Sequence, residues 1–232
     1  RSYLDLGCGI GSVLLMVSDR LPAVQAAGIE AQIESHALAE RNVQRNALGG
    51  RVRAYHGDLR DDTLLARVRE DVPLAAAAGF DLITGTPPYK PVGTASVSPD
   101  PQRAHARIEL RGGVEVYLRA AASLLARDGR FVMCAEASLE PRVLAGARAA
   151  NLGVERCLDV VARERKPTLF AVYTFAPLAP SGPRSGVPDH SEDRVGKDVA
   201  RATAVDSHPL PLLRETLVLR DAQGARIRPQ AR

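Results

Sequence analysis

The chain has 232 residues, 45% of them hydrophobic, no Trp and a formal charge of +4, which suits one α/β domain with an appendage and a core of small aliphatic side chains. Cys8, Cys134 and Cys157 are an odd, scattered set without a C-x-x-C pair, which argues against a disulfide framework or a zinc site, and no metal is expected. No apolar run approaches about 18 residues and no signal-peptide pattern is present, so a soluble, cytoplasmic protein with no membrane partner is expected, while the basic excess permits a polyanionic partner without requiring one. The sequence opens on Arg1 and enters a strand almost at once, so a segment upstream is expected.

Ser2-Tyr3-Leu4-Asp5-Leu6 reads as a buried strand ending near an acid, followed by Gly7-Cys8-Gly9-Ile10-Gly11 and the helical pattern Ser12 to Arg20. Glycines at alternate positions let the backbone turn sharply and let a ligand lie against it, with a helix N-terminus aimed at that ligand. A dinucleotide fingerprint would need its third glycine one residue later, so the loop suits a nucleoside without pyrophosphate. A glycine-rich structural turn is the alternative. Ala26 to Glu30 is a second short strand, and Glu30 stands at its carboxyl end, where an acid can accept hydrogen bonds from both ribose hydroxyls; the plainer reading is an acid at a helix start. Ala31 to Leu48 is a helix closed by Gly49-Gly50, and Arg51 to Asp58 alternates as a third strand, with His56 structural.

Asp61 to Glu70 is a helix, Pro73 to Gly79 a loop or short helix, and Phe80 to Gly85 the fourth strand, ending at Thr86-Pro87-Pro88-Tyr89. Lys90 to Pro101 is a loop rich in Pro, Gly, Ser and Thr. Gly112-Gly113 introduces a helix from Val114 to Ala126, Arg127-Asp128-Gly129 turns into a strand from Arg130 to Glu136, and a helix from Glu140 to Ala150 follows. Strands Val154 to Ala162 and Thr168 to Ala176, joined by the basic tip Arg163-Glu164-Arg165-Lys166-Pro167, must pair antiparallel. The expected division is a domain over residues 1–176, a flexible linker over 177–209 poor in apolar residues, and a short extension over 210–232 with room for one edge strand. The glycine loop, Glu30, Asp58 and Thr86 to Tyr89 all fall at carboxyl ends of strands, where open parallel sheets bind ligands.

Asp5-Leu6-Gly7-Cys8-Gly9-Ile10-Gly11 resembles motif I of class I S-adenosylmethionine-dependent methyltransferases. Thr86-Pro87-Pro88-Tyr89 resembles the (Asn/Asp)-Pro-Pro-aromatic motif IV of members that methylate planar amino groups. With Arg107-Ile108-Glu109 after the motif IV loop, residues 2–176 are similar to the small-domain branch of that family, which includes tRNA adenine-N6 methyltransferases. The resemblance implies a Rossmann-like, seven-stranded α/β sheet, six strands parallel and one antiparallel, with helices on both faces. It implies S-adenosylmethionine as cofactor, held by Asp5, Gly7, Gly9, Gly11 and Glu30, with Asp58 toward the adenine amine. At the acceptor, Thr86 and the Pro87 carbonyl would take the amine hydrogens, Pro88 would stiffen the loop, and Tyr89 would stack on a flipped base. RNA, tRNA first, is the implied substrate, with Arg103, Arg107, Glu109, Arg165 and Lys166 as candidate contacts. Ordinary surface charge is the alternative for the basic residues. Thr86 departs from the pattern, because one short hydroxyl replaces a carbonyl that reaches further. The other readings are a non-catalytic S-adenosylmethionine- or RNA-binding relative, a methyltransferase of a protein glutamine amide or small molecule, and a NAD-dependent oxidoreductase, the last disfavoured by the glycine spacing and the reversed hairpin.

Overall fold

The computed structural model describes residues 1–93, 104, 106–178, 212–223 and 226. In chain order the elements are β1 (Ser2–Leu6), α1 (Ser12–Arg20), β2 (Gln25–Glu30), α2 (Ile33–Arg45), β3 (Val52–His56), α3 (Asp62–Glu70), α4 (Pro73–Ala78) and β4 (Phe80–Gly85). They continue with α5 (Val114–Leu124), β5 (Leu125–Glu136), a single 3-10 turn (Ala137–Leu139), α6 (Glu140–Ala149), β6 (Leu152–Val161), β7 (Thr168–Pro177) and β8 (Leu213–Val218). Among the described residues these strands form one sheet in the order β3-β2-β1-β4-β5-β7-β6-β8. β7 runs against both of its neighbours, while the other ladders are parallel.

Strand count is the one departure from the expected sheet, which is eight-stranded where seven were expected. The eighth is β8, paired in parallel with β6 from Arg156 opposite Leu213 to Val161 opposite Val218. Arg214 fastens it, with Nε donating to Asp159 Oδ2 at 2.6 Å and Nη1 to Glu140 Oε1 at 2.7 Å. Arg156 pairs with Glu215 on the same ladder. Of the stretch expected as a linker, Pro177 is the last residue of β7, and 179–209 lie outside the described residues.

Central strands read as continuous apolar runs because helices cover both faces of a parallel sheet, and every residue of β1 is buried. Leu4, Leu6, Ile29, Phe80, Ile83, Phe131 and Met133 meet Leu118 and Leu124 of α5 in one core, and Phe131 stacks on Phe175 of β7 with ring centroids 5.5 Å apart. α3 starts where Asp61 accepts from the Thr63 and Leu64 amides, and α4 takes Pro at its first turn and stops at Gly79. Gly79 has φ 90°, and a Cβ there would lie 2.7–2.9 Å from the backbone of Leu125 and Ala126, so only glycine allows this approach.

That approach explains one difference from the expected boundaries. The sequence suggests a turn at 127–129 before the strand, yet α5 ends at Leu124 and β5 begins at Leu125, which pairs with Phe80 before the register shifts. The chain reverses its direction of travel across the sheet between β1 and β4, so their carboxyl ends splay apart and open a crevice.

Candidate active site

A cavity of about 570 Å³ fills that crevice. Its floor is the glycine loop, in which Gly7, Gly9 and Gly11 have φ of 64°, 56° and 86°, all in the left-handed region. The three glycines do different work. A Cβ on Gly9 would meet nothing within 4 Å, so that position opens into the cavity. A Cβ on Gly7 would lie 2.2 Å from the Tyr117 hydroxyl, so this glycine yields to a side chain of the same protein. Gly11 is not part of the wall; it faces Ala39 of α2 and serves as the N-cap of α1.

Main-chain hydrogen bonds hold the loop against β2. Cys8 N–H donates to the Ile29 carbonyl at 2.9 Å, and Gly9 N–H donates to Glu30 Oε2 at 2.8 Å. The other oxygen of Glu30 accepts the Gln32 N–H at 2.8 Å. Glu30 is 7% exposed and lines the cavity, so its carboxylate sets the loop and still presents unused lone pairs to a ligand.

Asp5, expected at the cofactor, lies beneath the loop and outside the cavity wall. Its Oδ1 accepts from Thr84 Oγ1 at 2.6 Å, and that hydroxyl also meets the Tyr3 hydroxyl at 2.7 Å. Burial pushes the Asp5 carboxyl up to about 7, against the opposing pull of the Thr84 hydrogen bond.

Asp58 does line the cavity, but its carboxylate is already engaged. Arg60 approaches it side-on, with Nε to Oδ1 at 2.9 Å and Nη2 to Oδ2 at 2.8 Å, and Arg111 stands 3.6 Å away. Those hydrogen bonds from Arg60 hold Asp58 below the usual carboxylate range.

At the carboxyl end of β4, Thr86 is exposed, and both Thr86 and Pro88 line the cavity, whereas Pro87 is buried beneath. Tyr89 is not in the wall. Its half-buried ring meets Phe170 of β7 edge-on at 5.9 Å, with the Lys90 ammonium 5.7 Å from its centroid. Lys90 in turn pairs with Glu136 at 2.9 Å, so the expected stacking residue is packed against the antiparallel edge of the core.

Backbone bonds from Lys90 N–H to the Arg107 carbonyl and from Glu109 N–H to the Lys90 carbonyl bring the segment after motif IV back over the crevice, where Ile108, Arg111 and Gly112 close it. Arg107 is exposed, and Arg103 lies outside the described residues. Glu109, expected to touch substrate, instead gives both oxygens to Arg142 of α6 at 2.9 and 3.1 Å, and the same guanidinium holds Glu115 of α5 at 2.8 and 2.7 Å. Arg165 and Lys166 are exposed on the β6–β7 turn and take no part in the cavity wall. Tyr117 and Arg142 carried no signal in the sequence beyond their helices, and Gln32 and Ser35 reach the cavity through the first turn of α2. Among the described residues there is no cluster of three or more His, Cys, Asp or Glu fit to hold a metal, and no helix long and apolar enough to cross a membrane.

Residues 1–96 match the family model described as methyltransferase small domain. The chain is 30% identical over 130 residues to the tRNA1(Val) (adenine(37)-N6)-methyltransferase of Porphyromonas gingivalis, a match covering 56% of this chain and 48% of that protein. Against the protein of the same name from Yersinia pestis it is 30% identical over 180 residues, 76% of this chain and 66% of the relative. It is also 33% identical over 113 residues to the release factor glutamine methyltransferase of Caulobacter vibrioides, 48% of this chain and 35% of that one. The chain spans about half the length of the Porphyromonas relative. Among solved structures, a predicted O-methyltransferase from Agrobacterium tumefaciens superposes with a TM-score of 0.63 at 15% identity, covering 98% of this chain and 85% of that one, a likeness of fold alone.

Proposed function

Because the chain belongs, through residues 1–96, to the methyltransferase small-domain family, we propose that it transfers a methyl group from S-adenosylmethionine to a planar nitrogen, with adenine N6 in a tRNA as the favoured acceptor. The observation that carries this reading is that one cavity is walled both by the glycine loop with Glu30 and by Thr86 with Pro88. A donor cradle and an acceptor motif that share one cavity can bring two reactants into contact, which is the larger part of what a transfer between them requires.

The residues present fit the donor. The open face of Gly9 admits a ligand against the backbone, Glu30 has free lone pairs for two ribose hydroxyls, and Asp58, held by Arg60, would share its carboxylate with the donor's adenine amine. Bound there, the donor supplies an electrophilic methyl on a positively charged sulfur. An aromatic amine is a weak nucleophile because its lone pair is delocalised into the ring. The Thr86 hydroxyl and the Pro87 carbonyl have the role of accepting its hydrogens, which turns the lone pair toward the methyl. Tyr89 supports that loop from behind, through Phe170 and Lys90, and is not assigned the stack.

RNA as the acceptor is supported by the names of the tRNA-modifying relatives and by exposed Arg107, Arg165 and Lys166 on the crevice edge of the sheet, where phosphates would be met. The likeness to a release factor glutamine methyltransferase makes a protein amide the second acceptor to be tried, since an amide nitrogen needs the same two acceptors. Methyl-labelled donor offered with unmodified tRNA transcripts or with glutamine-bearing peptides separates them. Label in tRNA, recovered as N6-methyladenosine on digestion, is the expected result. Label confined to peptide would move the assignment to the amide, and no label in either pool would leave the fold without the proposed reaction.

A further inference from the structure

A phenol occupies the place where the two halves of the cavity meet. Tyr117 leaves the first turn of α5 and crosses the cavity floor between two glycines. A Cβ on Gly7 would lie 2.2 Å from its hydroxyl, and one on Gly85 would lie 2.9 Å from its ring Cδ1. The side chain therefore reaches from the donor loop to the residue before Thr86, and each end of it occupies space that any residue but glycine would fill.

Three features set this hydroxyl apart from a packed one. No group among the described residues hydrogen-bonds to it, although its ring is fixed on both sides and it belongs to the cavity wall. An oxygen placed this way has lone pairs for whatever enters. Burial first, and then the carboxylates of Glu30, Asp5 and Asp58, push its pKa upward, so the group stays a neutral phenol. Finally, a hydroxyl oxygen and an aromatic face in the same cavity wall as the Glu30 carboxylate are complementary to positive charge.

The methyl donor and the product it becomes differ in one respect. The donor's sulfur carries a methyl and a positive charge, and the product's sulfur carries neither. The transferred methyl must lie where the donor and acceptor halves touch, which is the stretch that Tyr117 spans. We infer that Tyr117 is a specificity-determining residue that presents its hydroxyl oxygen to the sulfonium end of S-adenosylmethionine and so distinguishes the donor from the thioether product. The inference rests on the donor assignment above. Its consequence is relief from product inhibition, because the contact stabilises the ligand that is consumed and does nothing for the one that must leave.

Tyr117→Phe tests this directly, since it removes an oxygen that makes no hydrogen bond within the described protein and keeps the ring that fills the space between the glycines. The melting temperature of the free protein should not change. By calorimetry, affinity for S-adenosylmethionine should fall about tenfold, the loss expected for one contact to a charged group, while affinity for S-adenosylhomocysteine stays within about twofold. Tyr117→Leu, which also removes the aromatic face, should widen that gap. Equal losses for the two ligands, or no loss for either, would overturn the inference and leave the donor assignment standing. If the unaltered protein binds neither ligand, the donor assignment fails and this inference fails with it.

Discussion

The donor half and the acceptor half of the cavity are built by different means. Around the glycine loop the anchors are bonds to the main chain: Glu30 takes the amides of Gly9 and Gln32, and Cys8 donates to the Ile29 carbonyl. Around Thr86 they are largely charges on long side chains: Arg142 with Glu109 and Glu115, and Lys90 with Glu136. A buried carboxylate held by two backbone amides is shielded from salt, whereas an ion pair half open to water is screened and holds its segment more loosely. The donor half is thus preorganised and the acceptor half adjustable. A small rigid ligand suits the first and a large acceptor, which must be fitted to the site, suits the second.

Glu30→Gln is expected to break the donor half most severely. Each carboxylate oxygen faces a backbone N–H at 2.8 Å, and an amide side chain would turn its own NH₂ against one of them. Affinity for S-adenosylmethionine should drop by about 2–4 kcal/mol, with RNA binding in fluorescence anisotropy unchanged. Unaltered calorimetric affinity would sink the claim that Glu30 organises the loop.

Asp5→Asn probes what the same half costs in stability. Below about pH 4 the acid is protonated in the folded and the unfolded chain alike, and it imposes no penalty. Between there and the folded value of about 7 the unfolded chain ionises first, so this group's contribution is lost as pH rises. The variant should therefore be more stable than the parent in urea at pH 8, by on the order of 2 kcal/mol, and equal to it at pH 4. Cofactor affinity should hold, because Asp5 lies under the loop. A pH-independent difference would exclude titration of Asp5 as the cause.

Arg142→Gln should loosen the acceptor half alone. It frees two carboxylates, one of them 10% exposed, and releases the segment that carries Ile108 and Arg111. With the guanidinium 36% exposed, the cost to folding should be only about 1–2 kcal/mol after screening. The effect should appear as roughly a tenfold loss in kcat/KM for the methyl acceptor, with donor affinity intact. Combined with Glu109→Gln the losses should be less than additive, because both remove one contact. Additive losses would mean that the two residues act separately.

The same contrast governs what the sequence disclosed. The alternation of strands and helices, the reversed hairpin and the glycine loop were legible because backbone geometry writes itself into local patterns: Gly7, Gly9 and Gly11 sit at left-handed positions, and Glu30 ends a strand. Asp5 misled because an acid beside a glycine loop reads the same whether it faces the ligand or lies below it, and only Thr84, brought alongside by the β1–β4 ladder, decides which. Glu109 misled for a longer-range reason, since its partner is on a helix 33 residues further along and nothing near Glu109 announces it. Tyr89 fits the motif IV pattern by type, but Phe170, on a strand that the hairpin folds back, decides where its ring lies. Tyr117 was illegible because the two glycines that receive it are far apart in the chain, one in the loop after β1 and the other at the end of β4.

The smallest expected effect is at Thr86, where the two halves meet at the acceptor. Its side chain is exposed at the cavity rim, so replacement disturbs no core packing. A threonine hydroxyl must turn its own proton aside before it can accept from an amine, while an asparagine carbonyl offers only lone pairs and reaches further. If the acceptor is an amine held by Thr86 and Pro87, Thr86→Asn gains part of one hydrogen bond in the transition state, about 0.5–1 kcal/mol, or a few-fold in turnover. The adjustable acceptor half should absorb the extra atoms, and donor affinity should be unchanged because Glu30 and Gly9 are not involved. Single-turnover methyl transfer to tRNA, run beside calorimetry on the same variant, reads both. Faster transfer at constant donor affinity supports a planar nitrogen as the acceptor. Abolished transfer at constant donor affinity would mean that the site is shaped around a hydroxyl at this position, and the amine assignment would fall while the donor half stood.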